Sequence, residues 1–215
     1  MKYAIIYIIV LFTVNLFPQQ SRLSANVVAV SEYIASYQFL RNTEDADEFT
    51  KVDSIWAYTL RRTGGCESDA LAAMIFTTLT VNKATMVTPV LKIKLTIPFF
   101  SASDSTLLKK NRNLPRRFSA DAPSGPGSDV DKLAHFFGSA YLSYNFFIFD
   151  LSYFIGLFVE VFEESFKVDS RADNRDVRFN MLGIEFGKAL KDNPGVMPSS
   201  FFKKYSGYYE QSPDN

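Results

Sequence analysis

Histidine and cysteine are almost absent from this chain of 215 residues, which has one of each. The single cysteine, Cys66, excludes an intramolecular disulfide and any paired-cysteine metal site. The single histidine, His135, excludes histidine-rich zinc chemistry and the repeated Glu-x-x-His motif of ferritin-like bundles. The sequence also lacks the motifs of P-loop, dinucleotide-binding, GxSxG and HExxH enzymes. Whether the protein is an enzyme is therefore left open.

Net charge is absent as well, because 23 basic residues balance 23 acidic ones. No basic stripe with interleaved aromatic residues occurs, so nucleic acid is not an expected partner. Aromatic residues are abundant by contrast, with 21 Phe and 11 Tyr. This excess suits either a compact aromatic core or a surface that meets lipid.

The N-terminal residues resemble a targeting signal. A basic start at Met1-Lys2 precedes the apolar stretch 3–17, and small residues follow at Ser24-Ala25. This arrangement is typical of a cleavable secretory signal, and the stretch is shorter than the roughly 20 residues of a spanning helix. We expect export to the periplasm or cell envelope, with an uncleaved membrane anchor as the alternative. The lack of paired cysteines favours a bacterial envelope.

Local patterns divide the rest of the chain into helical and extended parts. We predict a helix over 26–40, a polar loop over 41–53, and a β-hairpin formed by 71–81 and 87–99. The second strand is indicated by strict alternation of apolar and polar residues. Three C-terminal helices are predicted at 129–145, at 151–166, and from 173 to the stop signal that begins at Asp192. The predicted fold is mainly α with a small β-hairpin element (α+β) and a C-terminal three-helix unit.

Composition indicates where the segments meet. A Pro/Gly/Ser-rich stretch and a polar C-terminus flank the last helices. The predicted segments are a signal peptide at 1–24, an N-terminal α/β-hairpin region at 25–120, a linker at 121–128, a C-terminal helical domain at 129–205 and a flexible tail at 206–215.

Two segments suggest contact with a membrane. A basic cluster precedes the linker and is expected to be a solvated face, with contact to anionic lipid headgroups as the alternative. The cluster comprises Lys109, Lys110, Arg112, Arg116 and Arg117. The apolar stretch 146–162 is interrupted by charges, which favours a buried or interfacial hairpin over a membrane span.

Polar residues recur at helical spacing inside the apolar C-terminal helices. Residues four apart share a helix face, so each helix presents a polar pair. If the faces converge, they can bind a divalent cation or carry out acid–base chemistry. The candidate metal ligands are Asp131, His135, Glu163 and Glu164. The candidate catalytic residues are His135, Glu164 and Asp176, and the candidate substrate-binding residues are Asn180 and Ser139.

Two other interpretations of the same residues stay open. The carboxylates can form a purely structural network neutralised by Arg171, Arg175 and Arg178, or they can act separately on the surface, as Asp131 would beside a helix N-terminus. Gly183 and Gly187 continue the face of Asn180 and give a smooth stripe that another helix can approach closely.

Several of these residues resemble a family pattern. The pattern is DK-x-x-HF-x-x-S…E…D-x-x-x-N-x-x-G-x-x-x-G. It is matched by Asp131-Lys132, His135-Phe136, Ser139, Glu163-Glu164, Asp176, Asn180, Gly183 and Gly187. This resembles the YfiM-like family of envelope lipoproteins and, more distantly, the VanZ-like membrane proteins. The resemblance covers the C-terminal third and implies a helical envelope protein. No cysteine for lipid attachment follows the leader, which departs from a lipoprotein.

The sequence therefore favours an exported envelope protein with a structural or interaction role, in contact with a membrane or another envelope protein. The alternative is a metal-assisted hydrolase or transferase acting on a lipid or cell-wall precursor. In that alternative a divalent metal is the expected cofactor.

Overall fold

The computed structural model describes residues 22–87, 94–118, 122, 129–146 and 174–203. Over these residues the protein is mostly helical and has one two-stranded antiparallel sheet. The predicted mainly α fold with a small β-hairpin element is confirmed. Within the same residues, no helix combines the length and apolar character needed to cross a membrane.

The first helical region consists of α1, residues 22–35, and α2, Tyr37–Asn42. The single predicted helix over 26–40 is therefore two helices. Ser36 separates them because its backbone is extended, and its side chain accepts a hydrogen bond from the Phe39 backbone N–H. A serine in this role satisfies one of the free donors at a helix start.

The next two helices correct two predictions. Helix α3, Glu48–Arg62, begins inside the predicted loop 41–53, where Asp47 caps it through the Thr50 N–H. Helix α4, Glu67–Thr78, replaces the first predicted strand, 71–81. Its alanines favour a helix, and the β-branched Thr78 is accommodated because its hydroxyl donates to the Met74 carbonyl one turn earlier.

The hairpin consists of β1, Lys83–Val87, and β2, Lys94–Pro98. Lys83 lies opposite Pro98 and Val87 opposite Lys94, in an antiparallel register. The second strand lies within its predicted range, 87–99, whereas the first lies entirely after its predicted range, 71–81, most of which belongs to α4.

Helix α5, Asp104–Asn113, lies in a stretch for which no helix is predicted. Ser103 caps it by accepting from the Thr106 N–H. Lys110 belongs to the predicted solvated cluster, but the structure buries its side chain completely. The solvated-face interpretation is therefore wrong for this residue.

The first and third predicted C-terminal helices are present as α6, Lys132–Asn145, and α7, Asn174–Asp192. A short helix, α8, follows at residues 199–203. The predicted helix over 151–166 lies outside the described residues, and so does the apolar stretch 146–162 apart from Phe146.

One hydrophobic cluster joins the N-terminal helices to α6 and α7. Trp56 of α3 lies 5.4 Å from the Phe186 ring and 6.1 Å from the Phe137 ring. Phe136 in turn stacks on Phe186 at 5.3 Å and contacts Phe202 at 4.5 Å, measured between ring centroids. Large rings packed this way account for much of the abundant phenylalanine. The linker at 121–128 stays a prediction. Residues before it and residues after it belong to the same hydrophobic core.

Candidate functional site

Helices α6 and α7 approach each other unusually closely along the two-glycine stripe. A Cβ atom placed on Gly183 would overlap the Phe136 carbonyl, and one on Gly187 would overlap the Ser143 hydroxyl and the Ala140 carbonyl. Only hydrogen fits at these positions, so the backbones meet directly. The structure thus bears out the close approach that the glycine spacing predicts, and it places the polar residues of the two helices side by side.

Three predicted site residues converge at the N-terminal ends of these helices. Asp131, His135 and Asp176 each offer a ligand atom, and these atoms all lie within 4.8 Å of one another. The His135 Nε2 atom lies 3.6 Å from Asp176 Oδ1. The other predicted ligands, Glu163 and Glu164, lie outside the described residues.

Lys132 belongs to the DK pattern but is not among the candidate site residues, and the structure places it in this cluster. Its Nζ atom lies 3.0 Å from Asp131 Oδ2 and 2.5 Å from Asp176 Oδ1, and its side chain is 3% exposed. Burial acts to lower the pKa of Lys132, but the two carboxylates outweigh burial, so the pKa lies above its ordinary value. The cluster therefore contains its own fixed positive charge, which lies between the two acids.

The predicted substrate-binding residues form a separate pair deeper in the contact between α6 and α7, which we call the α6–α7 seam. Ser139 donates a hydrogen bond to the Asn180 side-chain oxygen at 2.9 Å, and both residues are buried. One turn further on, Ser143 donates to the Ile184 carbonyl at 3.1 Å. Buried polar groups need such partners, and these bonds tie α6 to α7 without any ligand.

A second buried ion pair was also missed by the sequence reasoning. The fully buried Asp129 accepts from Arg175 at 2.8 Å and from the Phe118 backbone N–H at 3.1 Å. Burial raises the pKa of Asp129, although the bonds to Phe118 and Arg175 act in the opposite direction. Arg175 was predicted to neutralise glutamates, whereas this contact is with an aspartate 46 residues away. No local pattern signals so distant a pairing.

Asp131 was also considered as a simple helix-terminal charge. It does lie at the N-terminal cap position of α6, but its side chain makes no capping hydrogen bond there. Its carboxylate contacts Lys132 instead. Its contribution is therefore mainly to the ion-pair cluster.

The geometry limits what the cluster can do chemically. Two carboxylates and an imidazole suit a divalent cation in ligand type. A cation bound between Asp131 and Asp176 would lie beside the Lys132 ammonium, and two like charges a few ångströms apart repel each other strongly at a partly buried site. Metal binding would thus require Lys132 to move out of its position.

Comparison with known proteins does not place the chain in a family. No family model, no curated protein and no solved structure matches it. The resemblance to the YfiM-like pattern therefore stays a prediction.

Proposed function

We propose that this chain is an exported cell-envelope protein with a non-enzymatic role, structural or in interaction with other envelope components. In this proposal the polar residues between α6 and α7 act as a lock that fixes the two helices against each other. The signal-like N-terminus and the resemblance to YfiM-like proteins support the location. The contacts of the seam support the role.

The position of Lys132 carries the proposal. Its buried ammonium lies between Asp131 and Asp176, which are the two acids that a metal or a catalytic mechanism would need free. A buried charge is tolerated when ion pairs and hydrogen bonds satisfy it, and removing one partner is then strongly destabilising. An internal counter-ion of this kind is what a structural network needs and what a metal site avoids.

A second candidate function is favoured by the three converging ligand atoms of Asp131, His135 and Asp176. In that version the protein is a metal-assisted hydrolase or transferase acting on a lipid or cell-wall precursor. Asp131, His135 and Asp176 would hold the metal, and Glu164 would act as acid or base. The like-charge repulsion from Lys132 makes this the weaker candidate.

Metal content and thermal unfolding of the wild type and His135→Ala, with and without chelator, separate the two functions. The structural lock predicts no bound metal, no effect of chelator, and a loss of about 1–3 kcal/mol in the variant. His135→Asn serves as the matched control, because it retains a hydrogen-bonding group without the imidazole.

The opposite pattern would support the metal-assisted enzyme. Stoichiometric metal in the wild type, lost in both variants, together with a melting temperature lowered by chelator, contradicts the lock.

A further inference from the structure

Charge is unevenly distributed in this neutral chain. Residues 80–118 contain eight basic residues and one acidic residue, although the chain as a whole has 23 of each sign. This segment includes the hairpin and α5. Lys110 is buried and does not contribute to the surface, but the remaining local excess still favours a positive surface where the net charge is zero.

Two side chains set the rotation of α5 about its axis. Lys110 donates from Nζ to the carbonyls of Thr77 and Leu79, at 2.7 and 2.6 Å, and Asn111 donates to the Thr80 carbonyl at 2.8 Å. These bonds hold one side of α5 against the C-terminal end of α4. Residues two positions before and after Lys110 therefore point away from the protein.

The outward side of α5 combines an apolar residue with two cations. Leu108 is 62% exposed, and Lys109 and Arg112 are exposed beside it. Among the residues that the structure describes, neither cation takes part in an ion pair. Leu108 and Arg112 share one side of α5 and Lys109 flanks Arg112, an arrangement in which long basic side chains reach lipid headgroups while the leucine contacts the interface.

The hairpin adds further positive charge near this helix. Lys83 and Lys94 lie on the same face of the hairpin, as the antiparallel register requires, and both are exposed. The one acid of the segment, Asp104, accepts from the Asn82 side chain at 2.9 Å, which joins the hairpin to the start of α5.

We propose that the outward face of α5, formed by Leu108, Lys109 and Arg112, docks onto a bilayer that contains anionic lipid. Charge complementarity supplies the long-range attraction, and Leu108 supplies the apolar contact. The face has no aromatic side chain on which a nucleic-acid base could stack, so lipid fits it better than a nucleic acid does. The inference rests on the proposed envelope location, because an exported protein meets a bilayer there.

Partitioning of the full chain onto vesicles tests the proposal. The probes are phosphatidylcholine vesicles with and without phosphatidylglycerol, and the measured quantity is the ratio of the two partition coefficients. This ratio cancels any affinity that the apolar stretch 3–17 gives to both kinds of vesicle.

Removal of each surface cation is expected to weaken binding to the anionic vesicle roughly fivefold, since each contributes about 1 kcal/mol. Lys109→Gln/Arg112→Gln should therefore lower the ratio roughly 25-fold, and high salt should lower it in the wild type. Leu108→Ser should weaken binding to the anionic vesicle by up to roughly tenfold.

Matched controls come from elsewhere in the chain. Arg61→Gln/Arg62→Gln removes two exposed cations at the end of α3, beside the start of α4 and away from α5. Met181→Ser removes a half-exposed apolar side chain from α7. Arg61→Gln/Arg62→Gln should leave the ratio unchanged, and Met181→Ser should leave binding to the anionic vesicle unchanged.

Two results would overturn the proposal: an unaltered ratio in Lys109→Gln/Arg112→Gln, or an equal drop in the Arg61→Gln/Arg62→Gln control. Binding of single-stranded DNA that depends on Lys109 and Arg112 would overturn it as well. None of the variants touches the lock, so their melting temperatures should match the wild type. Failure here is thus distinguishable from failure of the proposed lock.

Discussion

Two buried lysines show how differently one protein can treat the same charged group. Lys132, at the start of α6, contacts two carboxylates, and its pKa lies above the ordinary value. Lys110, in α5, contacts two backbone carbonyls, and burial lowers its pKa to about 7. Both side chains are almost fully enclosed.

The difference lies in the partners rather than in the burial. A carboxylate carries a full negative charge and compensates the ammonium for lost water, whereas a carbonyl offers only a dipole. The charge of Lys132 at the α6–α7 contact is therefore compensated by its partners. The α4–α5 contact tolerates a charge that it compensates only in part, so Lys110 loses its proton near neutral pH.

Gly183→Ala should have the largest effect, because it would force apart the two helices that bring Asp176 to Lys132. We expect a loss of about 3 kcal/mol, because the added Cβ would overlap the rigid Phe136 backbone. This loss exceeds the gain of about 1 kcal/mol that alanine brings to a helix. Urea unfolding measures the change.

Gly195→Ala is the control for that variant, since its Cβ would meet only the Asn193 side chain at 3.4 Å. It should be close to neutral. A wild-type stability in Gly183→Ala would show that α6 and α7 do not meet as closely as described.

The pH dependence of stability is expected to distinguish Lys110 from Lys132. The pKa of Lys110 falls from 10.5 to about 7 on folding, so between these values the unfolded chain binds more protons. The free energy of unfolding should therefore rise with pH over this window, by about 2 kcal/mol between pH 7 and 9. Chemical unfolding at several pH values measures the rise.

Lys110→Met should remove that rise and leave a flat profile. Lys132 cannot produce it, because its raised pKa places its loss of stability above pH 10.5. The raised pKa of Asp129 has the opposite effect, because stability then falls as pH rises from 3.8 towards the folded value, so it cannot produce a rise either. A rise that persists in Lys110→Met would contradict the assignment.

The smallest expected change in stability concerns the hydrogen bond between Ser139 and Asn180. Ser139→Ala and Asn180→Ala should each destabilise the protein, and the double variant should lose about 1 kcal/mol less than the sum, because the two side chains bond each other. Thermal or urea unfolding of the four proteins gives this coupling. Strict additivity would mean that the two residues act independently.

The sequence predicted those features that depend on local spacing. Helices α6 and α7, the second hairpin strand and the glycine stripe all follow from periodicity, which reflects which side of an element faces the core. Helical spacing also gives Asp131, His135 and Asp176 as candidates that form a site if their helix faces converge, and the packing of α6 on α7 supplies that convergence.

The remaining features depend on contacts between distant residues. The sequence around Leu71 is rich in strand formers, but packing against α3 and α6 and its own alanines make it helical. A lysine in a polar stretch gives no sign of burial, so the sequence predicts Lys110 on the surface, and the DK pattern alone gives Lys132 no role in a site. Asp129 and Arg175 are paired only by the tertiary fold.

A double-mutant cycle of Lys132→Met and Asp176→Asn tests the central claim most directly. If Lys132 is the internal counter-ion of the lock, each single variant is destabilised, and urea unfolding gives a coupling of about 2 kcal/mol between them. A coupling near zero, together with a Lys132→Met protein that is as stable as the wild type and binds a divalent metal, would contradict the lock and identify the cluster as a metal site.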